Sequence, residues 1–565
     1  ISRRFVRFRA KTTMSGPIDL TALLSADNAA RKYAEQALDA LQESAPAQLS
    51  MQLAVTLASP AAAPEVRELS AVLLRRRLPE MLLHRSLIVS EWREAIKAKL
   101  LEALTAESAP RLRRKICDTV GRIGLECLTD GSWPQLMEFV RAACASGVPS
   151  AHEAALTVIR HMAPTLVDPR GWPTIGKPAT SLLLAGLSTP SGEVSGAALA
   201  ALSDMLAACA EQESTAEKGA EKKQLKAVAT ELAAALPPML GCLEAAVTSS
   251  DPARVSSVLE SLGTVAAAQP RLFKSVLPVV TEGLCQLAST ASLPVDARMS
   301  CVELLLTLAE GAPKMVTKLD AFTPRLLGVL VPMLLRLGGD LSEWEEAEPD
   351  DGLLETDDDE DGEKEAAYAC EGLDRLSECV GGQSLTRLLL PMLQPYLAEG
   401  APWNARHAAL VAIATVCEAG FLVIEPHLES IVGLVRAAVA APEARLRWAA
   451  FYCLGLMCDE FPQLAEEMHA TLVPVVTGGM SDACARVRAA ATLASVNLMQ
   501  QMEEEQMLEA SPQLLGALHA SIASPASPPY LAYTACAALA VLSDALAAVP
   551  GRPMAQAYPS LMPLL

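Results

Sequence analysis

A dense run of carboxylates is the feature of this sequence with the clearest chemical potential. Residues 342–365 read SEWEEAEPDDGLLETDDDEDGEKE, and Lys364 is the only basic residue among them. Such a run could bind Ca²⁺ through its oxygens or attract a Lys/Arg-rich polypeptide through its charge. It lacks the alternating Asp or Asn, the central Gly and the terminal Glu of an EF-hand loop, so no specific metal site is predicted. The carboxylates predicted to contact a protein partner are Glu345, Glu346, Asp350, Asp351, Asp357, Asp358, Asp359, Glu360 and Asp361.

Other reactive side chains are dispersed along the chain. Its 7 His and 14 Cys include no CxxC pair and no close His/Cys cluster of the kind that a zinc site requires. The sequence also lacks GxxxxGK[ST], HExxH and GxSxG, and it has no GxGxxG after a predicted strand. We therefore predict no catalytic residue, no metal, no cofactor and no enzyme activity. The scattered cysteines indicate reduced thiols, as in a cytosolic or nuclear protein.

The charge balance narrows the class of partner. In 565 residues, 46 Lys and Arg stand against 66 Asp and Glu, which gives a net charge of -20. A field of this sign repels nucleic acids and anionic lipids and attracts basic proteins, so no direct nucleic-acid partner is predicted. The most apolar stretch, residues 530–543, is about 14 residues long, short of the ~18 to 20 that a membrane-spanning helix needs. No membrane insertion is predicted.

A repeated pattern predicts the fold. An apolar segment, a turn with Asp, Pro or Ser, and then Val-Arg, Leu-Arg or Ala-Arg recur along the chain. The intervals from Arg67 to Arg111, Arg111 to His152, Arg406 to Arg447 and Arg447 to Arg488 are 44, 41, 41 and 41 residues. This period is typical of HEAT or armadillo units, in which stacked neighbours bury the apolar face of each helix pair. The predicted fold is an all-α, HEAT-repeat (armadillo-like) right-handed superhelical solenoid of stacked antiparallel helix pairs. Each recurring Arg is expected to bind an acidic group or a carbonyl in the adjoining turn.

Charged stretches divide the predicted array. The regular spacing of the repeats is interrupted twice, by a stretch of mixed charges and by the acidic run. Inserted loops interrupt the repeat period of solenoids in this way. The first residues are basic and contain no acid, which predicts an extension that is disordered or not translated. The predicted segments are the basic extension at 1–13, N-terminal HEAT repeats at 14–210, a charged loop or helix extension at 211–224, HEAT repeats at 225–341, an acidic loop at 342–366 and further HEAT repeats at 367–565, an array that is incomplete at its carboxyl end.

One repeat indicates which side chains could face a ligand. The helical spacing predicts a core face made of Leu446, Ala449, Ala450, Cys453, Leu454 and Met457. Trp448, Tyr452 and Asp459 fall on a separate stripe of the same helix. Aromatic rings beside acids suit Lys and Arg side chains by stacking and pairing, whereas Trp448 could instead pack against a neighbouring repeat. The residues at roughly comparable positions in the flanking units are His407, Glu418 and Asn497.

Several segments carry a family pattern. They are EGLDRLSECVGG at 371–382, WNARHAAL at 403–410 and RLRWAA at 445–450. These segments resemble the central HEAT repeats of the importin-beta (karyopherin-beta) family, most closely its importin-four and importin-five branch. SADNAARKYAEQA at 25–37 and the ELSAVLLRRRL that follows Arg67 are similar to the opening repeats of that family. Because members of the family are about twice this length, the chain is expected to be an amino-terminal fragment whose array is incomplete at its carboxyl end.

The resemblance implies a nuclear import receptor that shuttles between cytoplasm and nucleus through the nuclear pore. In this family, basic cargo such as ribosomal proteins or histones binds an acidic concave face lined by the second helices. The small GTPase Ran, in its GTP form, binds the first repeats and releases the cargo, so the repeats at 14–210 are expected to be of the Ran-binding type. The inner helices and the acidic loop contact cargo or Ran, and phenylalanine-glycine nucleoporins bind the outer face.

Two other functions share these features of the sequence. A HEAT-repeat scaffold would have the same period, and a chaperone for histones or ribosomal proteins would have the same acidity. Neither would depend on Ran, so a response to Ran-GTP distinguishes the import receptor from both alternatives.

Overall fold

The chain folds into helices throughout the part that the structure describes. The computed structural model describes residues 18–83, 90–129, 131–217, 219–337, 344–345, 361–523, 529–547 and 559. Within these ranges every regular element is a helix and no strand is present, which confirms the predicted all-α class. The chain divides into two compact units, Ile1–Leu272 and Phe273–Leu565, called here unit 1 and unit 2. The predicted basic extension at 1–13 lies outside the described residues.

Unit 1 is built from antiparallel helix pairs. The first helices of its pairs are Pro46–Ala58, Ser90–Ala106, Pro134–Ala145, Lys177–Leu187 and Leu236–Thr248. The second helices are Pro64–Leu83, Pro110–Thr129, Pro149–His161, Gly192–Thr215 and Pro252–Ala268. Additional helices are Asn28–Ser44, Ala163–Leu166 and Ala220–Leu232, with short 3-10 or π turns at Ala22–Leu24, Trp172–Gly176 and Ala233–Ala235. Each second helix packs against its own first helix and against the second helix of the next pair, which gives a continuous row.

Unit 2 repeats the same arrangement. The first helices of its pairs are Leu277–Ala288, Phe322–Leu334, Gly382–Leu397, Leu428–Ala438, Gln463–Gly479 and Glu504–Ala523. The second helices are Val295–Gly311, Asp361–Val380, Trp403–Thr415, Ala444–Glu460, Ala485–Gln500 and Pro529–Ala545. Short helices at Pro313–Val316, Phe421–Ile424 and Glu425–His427 complete the unit. Its second helices also contact one another in chain order, so stacked pairs explain both units.

Small aliphatic residues make this stacking close. The apolar face predicted for helix Ala444–Glu460 is 0% exposed at Leu446, Ala449, Ala450, Cys453, Leu454 and Met457. Neighbouring second helices cover that face, as the repeat pattern requires. A Cβ added at Gly455 would lie 3.3 Å from the Ala494 Cα of the next second helix, so glycine permits the approach. All 14 cysteines are free thiols, most of them buried in the same cores.

The recurring arginines tie the starts of second helices to adjoining turns. Arg67 donates to the Leu57 carbonyl at 2.9 Å and pairs with Glu107 at 2.6 Å. Arg447 donates to both carboxylate oxygens of Asp482, in the next repeat, at 2.7 and 2.8 Å. Other arginines in such positions that bind a carbonyl, hydroxyl or carboxylate are Arg113, Arg254, Arg298, Arg445 and Arg488. The predicted bonding to acids and carbonyls is observed for these arginines except Arg254, which donates to the Ser195 hydroxyl.

Helix Gly192–Thr215 is the longest helix described. By length and mean hydropathy alone, this helix could cross a membrane, but 61% of its most apolar window is buried inside the protein. It packs between Pro149–His161 and Pro252–Ala268, as a core second helix does. The charged stretch at 211–224 is shared between its last turn and the start of Ala220–Leu232, in agreement with the helix-extension alternative.

Two glycines in first helices of unit 2 are expected to respond oppositely to replacement by alanine. A Cβ at Gly382 would lie 2.3 Å from both the Cβ and the carbonyl oxygen of Ala419, whereas nothing lies within 4 Å of one at Gly433. We expect Gly382→Ala to destabilise unit 2 by roughly 1–3 kcal/mol through overpacking. Gly433→Ala, in an exposed helix position, should stabilise it by roughly 0.5–1 kcal/mol. Urea unfolding followed by circular dichroism measures the free energy of unfolding of both variants. A change of the same sign in the two variants would contradict the packing described.

Candidate functional site

Five carboxylates lie along three consecutive second helices of unit 2 or just beyond them. This carboxylate row consists of Glu371, Asp374, Glu418, Asp459 and Glu460. Glu371 pairs with Arg375 of its own helix at 3.5 Å. Among the described residues, the other four have no Lys, Arg or His within ion-pair distance. The row is therefore a surface of negative charge in which four of the five carboxylates have no matching cation among the described residues.

The pKa shifts in the row point to mutual repulsion. Partial burial and the charges of Glu418 and Glu371 raise the pKa of Asp374 above that of an ordinary Asp. Partial burial and the charges of Glu418 and Asp459 raise the pKa of Glu460 in the same way. Like charges that disfavour each other's ionisation are stabilised by any cation placed between them. The row is thus suited to ligands that carry positive charge.

An aromatic cluster adjoins the row. Trp448 stacks on Tyr452 with ring centroids 5.2 Å apart, and it lies parallel to the His407 ring at 6.1 Å. Trp403 meets His407 edge-on at 6.5 Å, and Trp344 meets Trp448 edge-on at 6.2 Å. The predicted alternative for Trp448, packing against a neighbouring repeat, is therefore observed, since His407 belongs to the preceding second helix. Trp448 and Tyr452 nevertheless keep part of their surface exposed.

The cluster and the row influence each other electrostatically. Burial is the main cause that raises the pKa of Tyr452, and the charge of Asp374 adds to it. Burial, together with the charge of Arg445, lowers the pKa of His407 to about 3, so its ring is neutral near pH 7. The His407 and Tyr452 side chains therefore add no charge of their own to this surface near pH 7.

Trp344 lies between two arginines of successive second helices. The guanidinium carbons of Arg445 and Arg486 are each 5.2 Å from the centroid of its ring. Trp344 is 7% exposed, and Arg445 and Arg486 are 3% and 8% exposed. A desolvated guanidinium over an indole face is a favourable cation–π contact. Trp344 is therefore bound to the start of helices Ala444–Glu460 and Ala485–Gln500.

Most of the acidic residues predicted as contacts lie outside the described residues. These are Glu346, Asp350, Asp351, Asp357, Asp358, Asp359 and Glu360. Glu345 is described and exposed, and Asp361 is the first residue of helix Asp361–Val380. That helix begins inside the segment predicted as loop up to 366. The reason is that Glu363 pairs with Arg445, and Glu365 pairs with Arg298 at 3.0 Å, which a solvated loop would not provide.

The predicted inner-helix contacts occupy different environments. Glu418 and Asp459 are exposed members of the carboxylate row, and Trp448 and Tyr452 belong to the aromatic cluster. The remaining two residues are less accessible. His407 is 2% exposed, and its ring nitrogens have no hydrogen-bond partner among the described residues. It lies behind the Trp448 ring rather than on an open surface.

Asn497 forms a hydrogen bond between two neighbouring repeats. Its Nδ2 donates to the Gly455 carbonyl at 3.0 Å, which joins helices Ala444–Glu460 and Ala485–Gln500. The Asn497 side chain is only part-exposed. Its structural role is clear from this bond, whereas its contact with a ligand stays a prediction.

Sequence reasoning missed Asp374, Glu460 and Trp344. A signal for Asp374 was available, because Asp374, Glu418 and Asp459 follow one another at intervals of 44 and 41 residues. These intervals match the repeat period, so the three positions recur in successive repeats. Trp344 carried a weaker signal, as the only aromatic residue within the acidic run.

The geometry favours recognition of a chain over binding of a metal ion. No group of three His, Cys, Asp or Glu side chains that could hold a metal is present among the described residues. The carboxylates are spread over three helices, and aromatic faces lie beside them. Such spacing fits several Lys or Arg side chains of an extended polypeptide, whose aliphatic stems can lie on the rings.

Comparisons with known proteins agree with this architecture. A family model described as "Importin repeat" matches residues 291–387, and one described as "IPO5-like, TPR repeats" matches residues 108–283. Importin subunit beta-3 of Saccharomyces cerevisiae is 26% identical over 497 residues, which cover 84% of this chain and 42% of the yeast protein. The chain is therefore similar to members of the importin-beta family over most of its length. Human importin-4, 24% identical over 436 residues, covers 74% of the chain, and the match spans 37% of importin-4.

Solved structures of a family member have the same fold. Kap121p bound to RanGTP matches 96% of this chain with a TM-score of 0.79 at 24% identity. Kap121p bound to Pho4p matches with a TM-score of 0.80, and Kap121p bound to Nup53p with 0.79. The match covers 50% of the Kap121p chain. The chain thus spans about half the length of the relatives it matches, or less.

Proposed function

We propose that this chain belongs to the importin-beta family and acts as a nuclear import receptor, which captures basic protein cargo on the second helices of unit 2 and releases it when Ran-GTP binds. The carboxylate row is the observation that carries the proposal. Partial burial and neighbouring carboxylates raise the pKa of Asp374 and of Glu460, and four members of the row have no cationic partner among the described residues. A Lys/Arg-rich segment would relieve that repulsion while its stems lie on Trp448 and Tyr452.

The acidic segment would add to this attraction. It carries Asp357, Asp358, Asp359 and neighbouring acids in the sequence, and its described ends lie on unit 2. Dense negative charge raises the rate at which a basic chain is captured more than it fixes one bound arrangement. Histones and ribosomal proteins have the composition that such a surface selects.

Release and transport direction would come from binding energy alone. Kap121p has been solved with RanGTP and with Nup53p, which supports Ran and a nucleoporin as partners of this chain. Ran-GTP on the repeats of unit 1 would release cargo only by favouring an arrangement of the array that cargo binds less well. The protein would act as a binding protein rather than an enzyme, and it would shuttle between cytoplasm and nucleus.

Titration with matched peptides tests cargo recognition. One peptide carries two Lys/Arg clusters, and its control has Gln at every basic position. We expect the basic peptide to bind, the Gln peptide not to bind, and the affinity to fall steeply as salt is added. Equal affinity for the two peptides would contradict the proposal.

The binding of a basic peptide should weaken at mildly acidic pH. Asp374 and Glu460 have raised pKa values, so they take up protons at a higher pH than ordinary carboxyls, whose values are about 3.9 and 4.3. Each proton removes a negative charge that attracts the ligand, so affinity falls as the pH falls toward that range. Calorimetry between about pH 7.5 and about pH 5 measures the slope. The variant with Asp374→Asn and Glu460→Gln should bind more weakly at neutral pH and show a flatter profile; an unchanged profile would argue against these two groups.

A Ran-independent chaperone for basic proteins is the second candidate. The net charge of -20 and the carboxylate row favour it equally. Both candidates predict peptide binding, and only the import receptor predicts that Ran-GTP displaces the peptide.

A further inference from the structure

Trp344 and Glu363 flank the most acidic part of the chain. The seventeen residues between Glu345 and Glu363 include ten carboxylates and no Lys or Arg. Such a sequence repels itself and gains nothing by packing against an acidic surface. The residues at both of its ends are nevertheless bound to unit 2, so specific contacts must offset that repulsion.

A single arginine contacts both ends. Arg445 places its guanidinium over the Trp344 ring at 5.2 Å, and its Nη1 donates to the Glu363 carboxylate. Arg445 is 3% exposed, so water screens neither contact effectively. Arg486 covers the same Trp344 ring, also at 5.2 Å, from the next second helix.

The backbone next to Trp344 also covers a thiol. Cys484, just before helix Ala485–Gln500, directs its sulfur toward the Glu345 carbonyl oxygen at 3.9 Å and is 7% exposed. Glu345 and Cys484 are 139 residues apart in the chain. The accessibility of Cys484 therefore reports whether the Trp344 end is seated.

We propose that Trp344, Arg445, Arg486 and Glu363 form an intrachain clasp that fastens both ends of the acidic segment to helices Ala444–Glu460 and Ala485–Gln500. Trp344 acts as a ligand supplied by the chain itself, seated between two arginines. Arg445 contacts the residues on both sides of the segment, Trp344 and Glu363. Glu365, paired with Arg298 and Arg336, secures the Glu363 end to the preceding repeats.

The clasp has a consequence for ligand capture, which rests on the proposed function. Trp344 meets the edge of Trp448, so the fastened end lies at the aromatic cluster. Tethering raises the effective concentration of the ten carboxylates beside the carboxylate row. A basic chain bound to the row would then be attracted by the carboxylates of the acidic segment as well as by those of the row. An unfastened segment would spread its charge over a larger volume.

Thiol labelling of the full chain tests the clasp without any ligand. The rate of Cys484 alkylation is measured by mass spectrometry in the parent and in Trp344→Ala, Trp344→Phe and Trp92→Ala. Cys536, which is exposed, gives the reference rate, and Cys453, which is 0% exposed, reports whether the repeats stay folded. Trp92 is a surface tryptophan of unit 1 and serves as the matched control.

We expect Trp344→Ala to raise Cys484 labelling about tenfold, because two cation–π contacts are lost. Trp344→Phe, which keeps an aromatic face, should raise it less, and Trp92→Ala should leave it unchanged. Unchanged Cys484 labelling in Trp344→Ala, with Cys453 still protected, would overturn the clasp. Labelling of Cys453 in Trp344→Ala would mean that this variant unfolds, and Trp344→Phe and Arg445→Lys would then be used instead. If Cys484 were labelled at the parental rate in both of these variants, the clasp would also be overturned.

Peptide affinity separates the clasp from its consequence. With the basic peptide at low salt, we expect Trp344→Ala to bind roughly three- to tenfold more weakly than the parent. If Trp344→Ala exposed Cys484 but bound the peptide with parental affinity, the clasp would stand and its role in ligand capture would be overturned. Failure of the parent itself to bind the peptide would overturn the proposed function, and Cys484 labelling would still judge the clasp.

Discussion

Replacing Asp374, Glu418 and Asp459 together by Lys is expected to weaken binding of a Lys/Arg-rich peptide at least about 100-fold at low salt. The three exposed side chains come from three successive repeats, and partial burial together with the charge of Glu418 raises the pKa of Asp374. Reversal converts attraction into repulsion at three points of one surface, and like-charge contacts cost several kcal/mol. Fluorescence anisotropy with a labelled peptide measures the change.

A charge-matched variant isolates the position of the charges. Glu429, Glu467 and Glu509 are exposed on three first helices of the same unit. Reversing these three instead changes the net charge by the same amount, from -20 to -14, since three exchanges of Glu for Lys add 6. We expect less than about a threefold loss in this control, attributable to long-range attraction. Equal losses in the two variants would show that overall charge, and not the carboxylate row, governs binding.

Removing Glu365 should produce the largest loss of stability among the ion pairs of unit 2. Glu365 is 1% exposed and contacts Arg298 at 3.0 Å and Arg336 at 3.2 Å. Glu365→Ala leaves Arg298, itself 5% exposed, as a buried charge without this partner, a change that costs about 3–5 kcal/mol. Amide hydrogen exchange in helices Val295–Gly311 and Asp361–Val380 measures the local effect.

The surface pair between Glu282 and Arg325 provides the control for that prediction. Its side chains are 54% and 56% exposed, and its separation of 3.0 Å equals that of the Glu365–Arg298 pair. Glu282→Ala should cost less than about 1 kcal/mol because water screens the pair. Comparable losses in the two variants would mean that burial does not set the strength of these contacts.

The repeat architecture could be predicted because its causes are local and periodic. The core face of helix Ala444–Glu460 follows from helical spacing alone. The contact from Arg447 to Asp482 follows from the next copy of the same turn, 35 residues along the chain. Interactions between neighbouring repeats are short in sequence, so one period contains most of the information about them.

The site was only partly predictable because its decisive contacts are not periodic. Glu363 meets Arg445 across 82 residues, and Glu345 meets Cys484 across 139. Dense charge predicted a solvated loop up to 366, whereas two arginines that enter the protein interior draw Glu363 and Glu365 into a helix. The repeat pattern predicts a ligand contact for His407, but close stacking of second helices places its ring beside that of Trp448 and buries it.

The two kinds of surface in unit 2 suit reversible binding. Buried pairs such as Glu365 with Arg298 stabilise the array, while the carboxylate row keeps its charge available to a ligand. Electrostatic capture of this kind is fast and depends on salt, so a second ligand can displace the first with a modest difference in affinity. A receptor that must bind and then release its cargo needs that balance.

Competition between the basic peptide and Ran tests the central claim most directly. The chain is saturated with labelled peptide, and Ran loaded with GTP or with GDP is titrated into the complex. Nuclear import predicts that Ran-GTP releases the peptide and that Ran-GDP leaves it bound. Retention of the peptide in the presence of bound Ran-GTP, or equal release by the two nucleotide states, would contradict the account.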